Sequence, residues 1–447
     1  MRQKDLGTQM ASIWLKHRSS LLSSFLTVLV AACFVSNAAA QQEPPHLAEG
    51  YITAVDAPLG FDLNGSHVTT TPATVYGLMG KKDATSTDAP HNAVKVGAYV
   101  EVLGTRNKAA RTLIANSVLF RDEADRKLDG FGVIDMVIAA GPEPVFRADG
   151  YRIRIVSTTA TTFSGGLKAL GDVRANTWVK YQARRDRTGE LVATKAAFIP
   201  GRTGKVRPAS KQTGVPSRDS LIDAEGNLVA LHTKVRYSQA GGECGWHKVP
   251  GDLALQERVL RVGLSVVPAY QKLLADDDPA KIQFRFYAVD EARIRTDLSC
   301  WQGLVLVPRL VVERLANDDQ LAAVLADGVA LNIQVQSTRL IAENRELVGG
   351  ELAVEVAGWL VPGVGLAGDI GALVIAHEME ARLQEQRGRI ALALMANAGY
   401  DPWQAPEAWR LLAPKQASGD PDSLKFPSRS GYQLGILNLQ YGAAPSH

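Results

Sequence analysis

Few residues in the sequence have both the type and the spacing for metal chemistry. His377 and Glu378 begin a phrase like His-Glu-x-x-His, a pattern in which residues four apart share one helix face and hold zinc. Ala381 occupies the place of the second His. His377 with Glu380 or Glu385 would offer too few ligands, because a catalytic zinc ion takes about three from the protein. The phrase therefore predicts a solvated acidic helix face, with a displaced metal site as the alternative.

A second helix is indicated from Asn317 to Leu340. Asn317 is a suitable N-cap, and Gln320 can complete a capping box. Apolar residues then recur at helical spacing and predict one apolar face, formed by Leu321, Val324, Leu325, Val329 and Ile333. Asp327 interrupts this stretch with a carboxylate.

Several phrases around this helix resemble, in order, the HtpX- and BepA-like zinc metallopeptidases. They are LQERVLRVGLSVVPAYQKLL, KIQFRFYAVD, WQGLVLVPRLVVERLANDDQLAAVLA and RIALALMANAGYDPWQAPEAWRLL. The resemblance runs from about Leu253 to Tyr441. It implies a mainly helical, gluzincin-type domain with a small β-sheet, whose relatives are zinc metalloendopeptidases with a His-Glu-x-x-His helix.

The positions that match the family's zinc site carry other residues. They are Asp327, Gly328 and Leu331 in the motif, Gln384 and Gly388 at the third ligand and its supporting Asp, and Phe426-Pro427 at the later His-Pro pair. Glu385 is one residue away from the third ligand, which turns it about 100° around a helix. A glycine cannot act as a base and a leucine cannot bind metal, so the resemblance implies no zinc cofactor and no catalysis. Asp327 is expected to be solvated on the floor of a groove.

Two alternatives to this inactive site follow from the residues. One is a metalloendopeptidase with unconventional ligands such as Asp327 and His377. The other is a protein whose function lies in its N-terminal half, with the C-terminal half as a passive support.

An edge strand for peptide binding is also expected from the resemblance. It comprises Gly303, Leu304, Val305, Leu306 and Val307. An extended polypeptide could add to such an edge through main-chain hydrogen bonds. The expected partners are therefore extended or unfolded polypeptides of the cell envelope.

The composition excludes other classes of function. A formal net charge of +3 and the absence of a dense Lys/Arg run interleaved with aromatics argue against nucleic acid. Hydrophobic residues at 46% and charged residues at 21% are typical of a globular protein. A chain of 447 residues can form two or three domains.

The first forty residues predict a signal peptide. The apolar run from Leu21 to Val35 follows a basic segment, and Ala38-Ala39-Ala40 offers a cleavage site before Gln41. Export to the periplasm or medium follows, with no transmembrane helix in the mature chain. Val30-Ala31-Ala32-Cys33 resembles a lipobox, so a lipoprotein anchored at Cys33 is the alternative.

Two cysteines remain in the predicted mature chain, Cys244 and Cys300. In an oxidising compartment they are expected to form one disulfide, with two free thiols as the alternative.

An internal repeat follows the signal peptide. One copy begins GYITAVDAPLGFDLNGSHV and the other FGVIDMVIAAGPEPVFRADGYRI. In this alignment Thr74-Val75 matches Thr162-Phe163, and Ala115 matches Ala193. Alternating β-branched and polar residues between turns predict two small antiparallel β-barrels. They resemble the tandem OB-like modules of exported bacterial proteins.

The sequence thus predicts a multidomain α+β protein. Its parts are a signal peptide at 1–40, barrels at 50–122 and 130–200, a linker with a Gly-rich hairpin at 201–250, and the metallopeptidase-like domain at 251–441. A basic hairpin tip in the second barrel, formed by Arg184, Arg185 and Arg187, is expected to be solvated.

Overall fold

The protein is described here from a computed structural model. The described residues are 46–56, 60–63, 66–79, 94–107, 112–121, 127–186, 188, 190–201, 227–228, 247–248, 250–278, 280–290, 299–300, 303–343, 369–412 and 425–441. Within them the fold is mixed α+β, with barrel-like sheets in the N-terminal half and helices with a small sheet in the C-terminal half. The predicted signal peptide and most of the predicted linker lie outside the described residues.

Six strands form the first sheet. They are β1 (His46–Asp56), β2 (Gly60–Leu63), β3 (Ser66–Thr69), β4 (Val75–Leu78), β5 (Tyr99–Asn107) and β6 (Thr112–Phe120). Their order is β3-β2-β1-β5-β6-β4, and a further parallel pairing of β3 with β6 closes the sheet on itself. Alternate side chains point inward, as strand geometry requires, so Val100, Val102, Leu113 and Ala115 are buried in one core.

The second sheet repeats this arrangement strand for strand. Its strands are β7 (Leu128–Ala139), β8 (Val145–Ala148), β9 (Tyr151–Arg154), β10 (Ala160–Phe163), β11 (Trp178–Arg185) and β12 (Leu191–Ile199). The order β10-β12-β11-β7-β8-β9, with β9 pairing in parallel with β12, is the same as in the first sheet. We call the two sheets barrel 1 and barrel 2.

The structure corrects one register of the sequence repeat. Thr74 donates its hydroxyl to the carbonyl of Ala115 at 2.7 Å, and Thr159, not Thr162, donates in the same way to Ala193 at 2.7 Å. Both donors are buried. The second copy has several threonines in a row, so the sequence offers more than one match. The buried hydroxyl, which needs an acceptor, selects Thr159.

The basic tip between β11 and β12 is only partly solvated. Arg184 is exposed, Arg185 is half-buried and Arg187 lies outside the described residues. Asp186 folds the turn by accepting from the Thr188 amide at 2.9 Å and the Thr188 hydroxyl at 2.6 Å.

The C-terminal half is mainly helical. Its helices are α1 (Leu253–Val266), α2 (Ala269–Leu273), α3 (Arg309–Arg314), α4 (Asp318–Glu343), α5 (Asp369–Asn397), α6 (Gln404–Leu412) and α7 (Lys425–Gln440). Among the described residues, no helix combines the length and the apolar character needed to cross a membrane.

Helix α4 is central and agrees with the sequence at its start. The Asn317 carboxamide accepts from the Gln320 amide at 2.9 Å, which is the expected N-cap. Gln320 in turn accepts from the Ala316 amide at 2.8 Å, one residue before the cap. The sequence predicted one apolar face, but this helix is buried on all sides between Leu321 and Ile333, because it packs against α1, α5, α6 and the small sheet.

The small strands complete the fold. A two-stranded pair joins β13 (Asn227–Leu228) with β14 (His247–Lys248). A three-stranded sheet contains β15 (Arg285–Val289), β16 (Ser299–Cys300) and β17 (Leu304–Pro308) in the order β15-β17-β16. The segment expected as an edge is therefore the central strand β17, and its residues from Leu304 to Val307 are buried. A peptide would have to displace β16 to pair with Leu304 or Val305.

The predicted disulfide lies outside the described part of the chain. Cys244 falls among the residues that are not described, and of Cys300 only the backbone, in β16, is placed. The pairing stays a prediction.

Candidate functional site

A buried ion cluster occupies the position that the sequence matched to the first metal-binding His. Asp327 of α4 is only 3% exposed. Its Oδ2 accepts hydrogen bonds from Nη2 of Arg387 on α5 and, at 3.4 Å, from Nη1 of Arg429 on α7. Asp327 is therefore not solvated on a groove floor, as the sequence led us to expect. We call Asp327, Arg387 and Arg429 the ion triad.

Electrostatics fix the charge of this carboxylate. Burial alone would raise the pKa of Asp327, but the guanidinium charges of Arg387 and Arg429 outweigh burial and hold the pKa below its ordinary value. Asp327 is therefore ionised at neutral pH. Arg429 also lies over the ring of Trp409, with 5.0 Å between its guanidinium carbon and the ring centroid.

The next residues of α4 have structural contacts. Leu331 is buried and apolar. The carbonyl of Gly328 accepts from Nδ2 of Asn332 at 2.9 Å, and Oδ1 of Asn332 accepts from the Gly303 amide at 2.7 Å. Gly303 has φ +87° and lies so close to the Gln283 carbonyl that a Cβ would collide with it. Asn332, which the sequence analysis missed, thus anchors the start of β17 on α4.

The residues matched to the third ligand lie on α5. Gln384 is half-buried, and Gly388 lies beside the ring of Tyr432 on α7. Glu385 accepts from the Tyr51 hydroxyl of barrel 1 at 3.4 Å, whereas Arg387 reaches Asp327. The structure thus brings Asp327 together with an arginine that the sequence analysis had not considered.

Some expected site residues are placed only by their backbone. His377, Glu378 and Glu380 lie on α5, and Phe426-Pro427 lies on α7, but their side chains are outside the described part of the structure. The displaced metal site stays a hypothesis.

The described residues of the ion triad do not fit a zinc ion. A catalytic zinc site needs about three protein ligands with available lone pairs. Here the one carboxylate is already bound by two guanidinium groups, and Gly328 and Leu331 supply no side-chain donor. A cation placed there would be repelled by the two arginines.

A second buried cluster joins barrel 2 to α5. Arg389 donates to Oδ2 of Asp149 at 2.8 Å and to the Tyr432 hydroxyl at 2.6 Å, and the Tyr181 hydroxyl donates to Asp149 at 2.9 Å. Burial raises the pKa of Asp149, and Arg389 opposes that rise. Asp149 and Gly150 both have positive φ, 57° and 72°, which form the tight turn between β8 and β9.

Helix α5 therefore carries arginines toward two different parts of the molecule. Arg387 and Arg389 are two residues apart, so their side chains leave the helix about 200° from each other. One binds Asp327 and the other binds Asp149. The contact of Arg389 with barrel 2 restricts the rotation of α5 about its axis and so directs the side chain of Arg387 toward Asp327.

Comparison with known families bears on barrel 1. Residues 49–118 match DUF5666, a domain of unknown function. Barrel 2 repeats the strand order of this region, although it lies outside the matched residues. No curated protein and no solved structure matches the chain at a significant level. The likeness of the C-terminal half to metallopeptidases thus rests on its sequence phrases.

Proposed function

We propose that the chain is an exported, catalytically inactive homologue of zinc metalloendopeptidases that acts as a binding and scaffold protein in the cell envelope. The observation that carries this proposal is the ion triad. A carboxylate bound by two arginines stands where a family member would have its first metal-binding His.

The chemistry of hydrolysis explains why this arrangement supports inactivity. A zinc peptidase needs a metal to polarise the peptide carbonyl and a carboxylate to activate water. The position of that carboxylate holds Gly328, which has no side chain. The buried charge of Asp327 is neutralised by protein groups, so the helices are joined by an ion pair in the place where family members use a metal.

The rigid connection of the barrels supports the scaffold role. Arg389 binds Asp149 in the turn of barrel 2, while Tyr51 and Gly97 of barrel 1 contact α5 and α7. Two OB-like modules held at fixed positions on a helical body could present an extended polypeptide with a continuous surface. This arrangement favours a joint role of both halves over the alternative in which the helical half is passive.

Unfolded casein provides the test of this proposal. The protein isolated from the exported fraction, with Gln41 as its expected N-terminus by mass spectrometry, should bind fluorescently labelled unfolded casein without cleaving it. Added zinc or chelator should not change this result, and Asp327→Asn should leave the zinc content of the purified protein unaltered.

Three results would contradict separate parts of the proposal. Chelator-sensitive cleavage together with loss of zinc in Asp327→Asn would favour the enzyme with unconventional ligands. Absence of casein binding would refute the polypeptide-binding role. A diacylglyceryl group on Cys33 would replace the soluble exported form by a lipoprotein.

A further inference from the structure

Three metal-ligating side chains converge on the surface of barrel 1. Asp56, Asp62 and His67 come from the neighbouring strands β1, β2 and β3, and each offers a ligand atom within 4.8 Å of the other two. Nδ1 of His67 lies 2.9 Å from Oδ1 of Asp62 and 3.8 Å from Oδ2 of Asp56. These residues belong to the strands of barrel 1, whereas the ion triad belongs to helices α4, α5 and α7.

The strand register explains why these side chains meet. Asp62 lies directly opposite His67 in the β2–β3 pair, and Asp56 lies opposite Gly60 in the β1–β2 pair. Gly60 and Asp62 are two residues apart, so they share one face of the sheet. All four positions therefore lie on the same side of the barrel.

Gly60 leaves the space that the imidazole occupies. A Cβ at this position would lie 2.8 Å from both Cε1 and Nε2 of His67, closer than any real side chain allows. With glycine there, the ring can lie over the strand and bring Nδ1 toward Asp56. A larger residue would push the ring away and separate the two carboxylates from the nitrogen.

The spacing of the donor atoms fits a coordination sphere. With metal–ligand distances of about 2.1 Å, neighbouring ligands of a tetrahedral ion are about 3.4 Å apart and those of an octahedral ion about 3.0 Å. The two separations from Nδ1 of His67, 2.9 Å and 3.8 Å, bracket these values, and the oxygens of Asp56 and Asp62 lie within 4.8 Å of each other. The shorter separation is that of a hydrogen bond, which an ion bound to Nδ1 would replace. The side chains of His67 and Asp62 are 37% and 40% exposed, so an ion can reach them from solvent and keep water as further ligands.

We propose that Asp56, Asp62 and His67 form a binding site for a divalent transition-metal ion on barrel 1. Two carboxylates and one imidazole favour zinc, manganese, cobalt or nickel, because an imidazole ligand is poorly suited to calcium and magnesium. The ion neutralises two neighbouring carboxylates and clamps β1, β2 and β3 together.

The site is particular to barrel 1. At the equivalent register positions barrel 2 has Ala139, Arg147 and Arg152, none of which is a metal ligand. Arg147 instead donates to Oδ1 of Asn397 on α5 at 2.5 Å. The repeat has thus diverged at these positions, where barrel 2 contacts the helical half and barrel 1 carries ligands.

Titration of the full-length chain with ZnCl₂ and CoCl₂ tests the site. Calorimetry should give one ion per chain. The visible absorption spectrum of bound Co²⁺ should indicate coordination by a nitrogen ligand. His67→Ala, Asp62→Asn and Gly60→Ala should each weaken binding by about tenfold or more, since even the loss of an outer-shell partner of a metal ligand costs that much. Zinc should also raise the thermal midpoint of the wild type but not of His67→Ala.

Two controls make the result decisive. Asp129→Asn removes an exposed acid from barrel 2 and should leave zinc affinity unchanged. Circular dichroism establishes whether each variant is folded, and Asp62→Asn, the most conservative change, decides the matter if His67→Ala does not fold. The proposal would be overturned if the wild type bound no zinc. It would also be overturned if His67→Ala and Asp62→Asn bound zinc as tightly as the wild type. Its failure would leave the proposed function untouched, because casein binding does not depend on this site.

Discussion

At the scale of single residues, Asp327 is the position on which the interpretation of the C-terminal half depends. It is fully enclosed, ionised and bound to two arginines from other helices. Removing one member of such a buried cluster is costly, because the remaining charges lose their partner but stay out of water. The cost of removing Asp327 can therefore be measured as a change in the free energy of unfolding, separately from any binding function.

We expect Asp327→Asn to lower the free energy of unfolding by about 3–5 kcal/mol, because it removes the charge that faces the buried guanidinium group of Arg387. Urea denaturation followed by circular dichroism provides the measurement. Asp318→Asn is the matched control on the same helix. Asp318 binds Arg258 and Arg261 at the surface, and its side chain is 34% exposed, so its loss should cost about 1 kcal/mol or less.

The difference in the free energy of unfolding between wild type and Asp327→Asn should depend on pH with a defined sign. The folded-state pKa of Asp327 is depressed, so the stability from its charge is present above the unfolded pKa of about 3.9 and is lost as pH falls through the folded pKa. The difference in the free energy of unfolding between wild type and Asp327→Asn should therefore have its largest value at pH 7 and should decrease below about pH 4. A gap that persists unchanged at the acid end would show that packing, rather than charge, stabilises the site.

At the scale of elements, helix α7 depends on its glycines to reach barrel 1. A Cβ at Gly435 would meet the carbonyl oxygen of Gly97 at 2.7 Å, and one at Gly431 would meet Tyr51 at 2.8 Å. These glycines are four residues apart and lie on one face of the helix. The rings of Tyr51 and Tyr432 pack edge to face beside them, with centroids 5.2 Å apart. Close approach of backbone to backbone therefore holds α7 on the barrel.

Gly435→Val should destabilise the protein by about 1–3 kcal/mol, because the added side chain must push α7 away from a backbone that cannot yield. Thermal denaturation would measure this loss. Intrinsic helix propensity works in the opposite direction, since valine is a better helix former than glycine. Leu439→Val, on the same helix at a position 37% exposed, should change stability by about 0.5 kcal/mol or less. Equal effects of the two substitutions would refute the close-contact argument.

At the scale of the whole molecule, barrel 2 and the helices share one hydrophobic core, whereas barrel 1 has a core of its own. Residues of barrel 2 such as Tyr181 and Phe198 belong to the same cluster as Leu325 of α4 and Leu392 of α5. Buried polar contacts, above all Asp149 with Arg389, cross the same boundary. Barrel 2 is thus part of the same folded unit as the helices.

Amide hydrogen exchange should show that barrel 2 and the helices unfold cooperatively. The amides of β11 and those of α6 are expected to open with free energies that agree within about 1 kcal/mol, because the two elements unfold with the same core. In Asp149→Ala both should lose protection together, since the substitution leaves Arg389 buried without its carboxylate. Loss of protection in β11 alone would show that barrel 2 unfolds as an independent domain.

The sequence by itself determined the local features of this protein. The Asn317 cap, the strand alternation in the two barrels and the absence of metal ligands at Gly328 and Leu331 depend on residues only a few positions apart. Side-chain direction has a period of two in strands and 3.6 in helices, so such short patterns are sufficient to predict them. They predicted the α+β character and the repeated sheets.

Only the tertiary structure decided which distant residues meet. Asp327 lies 60 residues before Arg387 and 102 before Arg429, and no local pattern relates them. The central place of β17 and the match of Thr74 with Thr159 likewise depend on partners elsewhere in the chain. A buried charge or hydroxyl requires a partner, but the partner's identity depends on how helices and sheets pack. The packing of the helices, and not any local spacing, therefore gives Asp327 its two arginine partners.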